Sequence, residues 1–139
     1  RGADLHELVL GQVGRYSADP RRSVHFEGEN PYLNPNAALH IGLAIHELAV
    51  NSVSYGALSQ PDGFVTISAR LLPGSETSAL SLCWTEAISG NDDARQKRFG
   101  SIALERVVPA SLNGTADLRF GDDRLDYVLT VPSENFEIG

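Results

Sequence analysis

PNAALHIGLAIHELAVNSVSYG, residues 35–56, is the longest stretch of this chain that reads as one helix. Asn34, just before it, offers a side-chain acceptor for the first turn. Pro35 suits that turn, where its missing N–H has no intrahelical partner to lose. Gly56 marks the C-terminal stop. At about 100° per residue, apolar side chains cover most of the circumference, so the helix is expected to lie buried. One stripe departs from this. His40, Glu47, Asn51 and Ser54 fall within roughly 60° of each other on the helical wheel. Buried polar groups need partners. A carboxylate and an amide one turn apart therefore read either as the wall of a ligand or ion site or as caps for a neighbouring loop. His46 lies roughly 140° from Asn51 and is expected to pack against the sheet or another helix. His46-Glu47 also suggests a zinc-protease helix, but that motif requires a second histidine where Val50 stands.

Outward from this helix the chain falls into short periodic segments. Residues 5–16 carry helical spacing, with Asp4 as the cap. Asp19-Pro20 reads as a turn, residues 23–27 as a strand and residues 28–34 as a loop. Beyond the helix a loop closes on Pro61-Asp62-Gly63. Residues 64–72 and 78–86 alternate and form a hairpin about Pro73-Gly74-Ser75, with Leu80, Leu82 and Trp84 on one face. Residues 87–98 are polar and expected to be a mobile loop. Residues 99–108 return to helical spacing, and Pro109 is expected to end that helix. A second hairpin joins residues 115–120 and 125–131 through Gly121-Asp122-Asp123. The tail, 132–139, is expected to be loosely held. The fold class is α+β: a two-layer sandwich with about three helices on one face of a mixed, mostly antiparallel sheet, in a single domain spanning 1–139.

Composition narrows the function classes. The chain has 139 residues, 42% of them hydrophobic, enough for a core of its own. A net charge of −7 disfavours nucleic acid or an anionic membrane as the main partner. A polyanion such as a nucleotide would have to be held locally, by backbone N–H groups, helix ends or a cation. Cys83 is the single cysteine and sits in an apolar run. It reads as a reduced core thiol, which fits the cytoplasm. No apolar run reaches the roughly 18 residues of a membrane span, and no secretory signal pattern is seen. With no methionine anywhere, the chain reads as a piece of a longer protein.

The central helix, a strand ending in Trp84-Thr85-Glu86, a polar loop and then Phe99-Gly100 resemble the ATP-binding domain of sensor histidine kinases. The likeness is to the HWE subfamily, named for a histidine in the asparagine box and a Trp-x-Glu pair. These are matched here by His46, within HELAVNSVSYGALS (46–59), and by Trp84 and Glu86. The resemblance implies a Bergerat-type fold that binds ATP with Mg²⁺ between the central helix and a lid. On it, Asn51 holds Mg²⁺ against the phosphates and Glu47 is the catalytic base. Glu86 accepts from the adenine amine. Tyr55 and Gly100 line the ATP site, Gly100 where a helix N-terminus approaches phosphate. The implied partners are a helical phosphoacceptor domain of the same protein and a response regulator.

Three positions depart from the family pattern. Ser54 replaces the usual lysine. Ile88-Ser89-Gly90 stand where glycines and a proline are customary. Arg98 replaces the first glycine of the second glycine box. Two roles follow for Arg98: a side chain that blocks the phosphates, or an arginine that supplies the charge missing at position 54. Two functions follow in turn. One is a catalytic domain that passes the ATP γ-phosphoryl group to a histidine on the separate helical segment. The other is a degenerate domain that docks a response regulator without binding ATP. No segment here matches the phosphoacceptor motif, so this chain alone is not expected to autophosphorylate.

Overall fold

In the computed structural model, which describes residues 2–74, 78–89 and 92–138, thirteen α-helices and β-strands follow one another among the described residues. They are β1 (Ala3–Asp4), α1 (Leu5–Val13), α2 (Pro20–Ser23), β2 (Val24–Gly28), β3 (Tyr32–Leu33) and α3 (Pro35–Tyr55). Then come β4 (Val65–Leu72), β5 (Ala79–Ala87), α4 (Asp92–Phe99), α5 (Val108–Leu112), β6 (Thr115–Phe120), β7 (Arg124–Val131) and β8 (Phe136–Glu137). Five strands form one sheet in the order β2-β4-β5-β7-β6. Only the β2–β4 pair is parallel. The two hairpins read from sequence supply its core, with strand bounds within one or two residues of those expected. Ser75 of the first hairpin turn lies outside the described residues.

Side-chain alternation decides which face is covered. On β5, Leu80, Leu82, Trp84 and Glu86 are buried under the helices, and on β7 Leu125, Tyr127, Leu129 and Val131 are buried. The opposite face carries Ser81, Cys83, Thr85 and Thr130, all half-buried. Cys83 is therefore not a core thiol as expected; its Sγ lies 3.4 Å from Thr85 Oγ1 on the uncovered face. The strand period of two puts residue 83 opposite Leu82 and Trp84, whatever the hydrophobicity of the run.

The helical layer is α1, α3 and α5, with α3 packed against both of the others. Leu5, Val9 and Val13 of α1 meet Ile41, Ile45 and Leu48 of α3 in one core with Val65, Ile67 and Leu129 of the sheet. Each such side chain contributes about 1.5–3 kcal/mol on burial. Both expected caps are present. Asp4 Oδ1 accepts from Glu7 N and Asn34 Oδ1 from Ala37 N, each at 2.8 Å. The helix α3 is not buried all round as expected, since its apolar Leu39 is 69% exposed.

Four expectations are corrected. Asp19-Pro20 opens the short helix α2 rather than a plain turn. The expected loop at 87–98 contains α4, whose side chain Phe99 is buried with Ile88 and Leu125 in a second, smaller apolar cluster. Tertiary anchoring, not local periodicity, makes that helix. Pro109 does not end its helix. Residues 103–107 form a widened π turn in which Val108 N–H bonds Ala103 O, five residues back, and Pro109 sits in the first turn of α5 beyond it. The wider turn separates the proline ring from the preceding carbonyls, which a regular α-turn would crowd. The tail is held as well. β8 pairs with β3, which also pairs with β1, and Asn135 is buried with its Nδ2 donating to Leu112 O at 2.9 Å.

Candidate functional site

Trp84 and Glu86 are two residues apart on β5, so both point to the helix side of the sheet. Trp84 Nε1 donates to Glu86 Oε2 at 2.6 Å, and the backbone N–H of Ala57 donates to Oε1 at 3.1 Å. Glu86 is 2% exposed. That burial lifts its pKa above the ordinary 4.5, against the opposing pull of hydrogen bonds from Trp84, Ala57 N–H and Ser52. The Trp-x-Glu pair is thus one hydrogen-bonded unit, and Trp84 is core and carboxylate support at once.

Gly56 was expected only as a helix stop. Its φ of −117° is open to any residue, so left-handed backbone is not the reason for the glycine. A Cβ there would lie 1.9 Å from Glu86 Oε1. The carboxylate, tucked over the end of α3, requires it.

Around this carboxylate opens a cleft of about 610 Å³, lined among others by Tyr55, Gly56, Ala57, Phe64, Glu86 and Ile88. A second pocket, of about 630 Å³, is lined by Glu47, Asn51, Tyr55, Lys97, Arg98, Gly100 and Ser101. Tyr55 is a wall of both. All six site residues read from sequence therefore line two pockets that meet at one tyrosine. They come from the last three turns of α3, the end of β5 and the end of α4 with the residue after it. The stripe on α3 divides: Glu47 and Asn51 face the pocket, whereas His40 bonds back to Asn36 O in its own helix and Ser54 is simply exposed. His46 lies half-buried with its Nδ1 3.3 Å from Tyr16 OH, off the site and against the residues after α1.

Asn51 Nδ2 donates to Phe99 O at 3.4 Å. The amide nitrogen is thereby engaged with the backbone of Phe99. Arg98 stacks on Tyr55, its Cζ 5.3 Å from the ring centroid, at the shared wall. Gly100 lies between α4 and the helical segment that resumes at Ile102. Its N–H bonds Gln96 O as the stop of α4, and a Cβ would lie 2.5 Å from that same oxygen. The next helix is capped by Ser101, whose Oγ accepts from Leu104 N at 2.9 Å. Gly90 of the first glycine box lies outside the described residues.

Sequence reasoning missed Lys97, Ser101 and Arg95. Lys97 is the only lysine in the chain, a signal that was there to be read. Arg95 is 4% exposed and donates through both terminal nitrogens to the carbonyls of Gly121 and Asp122, tying α4 to the β6–β7 turn. Nothing local marked it. Among the described residues no cluster of three or more His, Cys, Asp or Glu side chains could hold a metal, and no helix is long and apolar enough to cross a membrane.

No family model matches the chain. It is similar to blue-light-activated histidine kinase 1 of Erythrobacter litoralis, 32% identical over 132 residues, which cover 92% of this chain and 35% of that protein. It is 23% identical over 138 residues to a blue-light-activated histidine kinase of Brucella ovis, covering 97% of this chain and 28% of that one. The chain thus spans about a third of the length of these curated relatives. Among solved structures it resembles the Erythrobacter litoralis EL346 blue-light-activated histidine kinase, with a TM-score of 0.69 at 14% identity over 92% of this chain and 40% of that one. The mycobacterial sensor histidine kinase MprB gives 0.63 at 15% identity, covering 100% of both chains. The catalytic domain of histidine kinase ThkA gives 0.59 at 8%, covering 95% of this chain and 97% of that one. Over nearly its whole length the chain is thus similar in sequence to one region of a histidine kinase, and it shares its fold with solved histidine kinases, the ThkA catalytic domain among them.

Proposed function

We propose that this chain binds Mg·ATP and transfers the γ-phosphoryl group to a histidine on a helical phosphoacceptor domain of the same protein. A response regulator then receives it, on the cytoplasmic side where ATP is available. One observation carries the reading: residues from α3, β5 and the lid line two pockets joined at Tyr55, one built around a carboxylate and one around paired cations and an amide oxygen. The donor set fits the implied ligands. Asn51 offers the hard oxygen Mg²⁺ prefers, and a magnesium ion keeps several waters, so one protein ligand beside the phosphate oxygens suffices. Lys97 and Arg98 supply the positive charge that Ser54 lacks, which favours Arg98 as a substitute rather than a block. When bound, Mg·ATP supplies the transferable phosphoryl group with its charge partly neutralised. The chain's own residues do the rest. Glu86 accepts from the adenine amine, Arg98 and Lys97 hold the phosphates, and Glu47, one turn before Asn51, orients and takes the proton of the attacking imidazole.

The test is calorimetric titration of this chain with a non-hydrolysable ATP analogue, with and without Mg²⁺, paired with Asn51→Ala. Magnesium-dependent binding that Asn51→Ala abolishes is the expected result. No heat at millimolar analogue from the folded chain would overturn it, and the domain would then be a scaffold that docks a response regulator.

A further inference from the structure

Glu86 is held from three directions by groups that only donate or exclude. Trp84 Nε1–H meets Oε2 at 2.6 Å, Ala57 N–H meets Oε1 at 3.1 Å, and Gly56 leaves room where any Cβ would strike Oε1. A buried carboxyl without such donors would take up a proton and become a donor itself. The Ala57 amide belongs to the backbone, and the Ser52 hydroxyl, which also bonds the carboxylate, accepts from Leu58 N–H at 3.0 Å; the indole N–H is the side-chain partner that can only donate. Trp84 is the only tryptophan in the chain and is 1% exposed. Packing alone could be met there by any large apolar side chain; an N–H aimed at the carboxylate could not.

We propose that Trp84 is the specificity-determining positioning residue of the cleft: its indole N–H keeps Glu86 a fixed, acceptor-only group, so that the site takes a 6-amino purine and rejects a 6-oxo purine. The inference rests on reading the cleft as the base subsite of the nucleotide. An acceptor-only carboxylate gains a hydrogen bond from an exocyclic amine and opposes the lone pairs of an exocyclic carbonyl. Trp84 acts through Glu86 and touches no nucleotide itself.

The test compares non-hydrolysable analogues of ATP and of inosine triphosphate, which carries a carbonyl in place of the 6-amine, in calorimetric titrations. Trp84→Phe removes the N–H but also changes volume, so a second form keeps the shape. Because the chain has one tryptophan, biosynthetic replacement by benzothienylalanine, with sulfur in place of N–H, alters this position alone. The unsubstituted chain should prefer the ATP analogue by about 30-fold or more, the scale of an unmatched buried polar group. The isostere should lose about 10-fold in ATP-analogue affinity with inosine-analogue affinity unchanged, and its melting temperature should fall because the buried carboxylate loses a donor. Equal losses for both analogues would assign Trp84 a packing role and overturn the proposal, as would no change for either. In both cases the nucleotide-site reading would survive. Failure of the unsubstituted chain to bind either analogue would overturn that reading and this inference together.

Discussion

At the scale of single residues the Glu86 carboxylate sets the terms for its neighbours. Gly56→Ala would push a methyl group to 1.9 Å from Glu86 Oε1, so either the carboxylate or the end of α3 must move. The expected outcome is a loss of ATP-analogue affinity of about 10-fold or more and a stability cost of about 1–3 kcal/mol, read by titration and thermal melting. The same carboxylate makes stability depend on pH. Burial raises its folded-state pKa, so between the unfolded value near 4.5 and that higher value the folded chain binds more protons than the unfolded one. Stability from this group therefore falls as pH rises through that window. Melting curves of the wild type and Glu86→Gln should diverge in the variant's favour as pH rises above about 4.5, whatever offset separates them at low pH. A difference independent of pH would show that Glu86 does not titrate abnormally. These residue-scale features were only partly legible beforehand. Glu47 and Asn51 stood out because polar residues one turn apart on an apolar helix break a strong pattern. The demand on Gly56 could not be read, because it arises from a contact with a side chain thirty positions away.

Elements differ in how far the chain itself specifies them. The helix α3 and the two hairpins were read from sequence because each carries several periods of its pattern. The helix α4 has no apolar face to read, and long-range contacts make it: Phe99 against Ile88 and Leu125, and Arg95 on the carbonyls of Gly121 and Asp122. Removing the first anchor should open the element locally. Phe99→Ala is expected to cost about 3 kcal/mol of lid stability, speeding exchange of the Gly100 amide roughly 100-fold while amides in β5 and β7 change far less. Equal acceleration across the sheet would mean that the lid is not a separate unit. The π turn before α5 poses a related problem. A proline in a helical pattern reads as a stop, and the sequence gives no hint that the turn ahead of it widens. The Tyr127 hydroxyl, buried on β7, donates to Leu104 O inside that turn at 2.6 Å. Tyr127→Phe should cost about 1–2 kcal/mol in chemical denaturation, the price of one buried carbonyl left without its donor.

The whole molecule is closed by its smallest sheet. β1, β3 and β8 contribute two residues each, too few for any periodicity to register, and so the tail was misread as loose. Asn34 is where this closure meets the central helix. Its Oδ1 caps α3 at Ala37 N, its Nδ2 donates to Glu134 O at 3.1 Å, and its backbone N–H donates to Asn135 O at 3.0 Å. One side chain therefore starts the helix that carries Glu47 and Asn51 and fastens the C-terminal segment across it. The two duties can be separated chemically. Asn34→Asp keeps the acceptor for Ala37 N–H and loses the donor to Glu134, whereas Asn34→Ala loses both. Asn34→Ala is expected to cost about 2 kcal/mol, the sum of a cap and a tail bond, and Asn34→Asp about 1 kcal/mol. In a double-mutant cycle with Asn135→Ala, which frees the tail by removing the bonds from Nδ2 to Leu112 O and Pro132 O, the Asp variant should add little further loss. The Ala variant should still add the cost of the cap. If both variants were equally costly alone and fully additive with Asn135→Ala, the tail and the central helix would be independent, and the small sheet would be only a local tie.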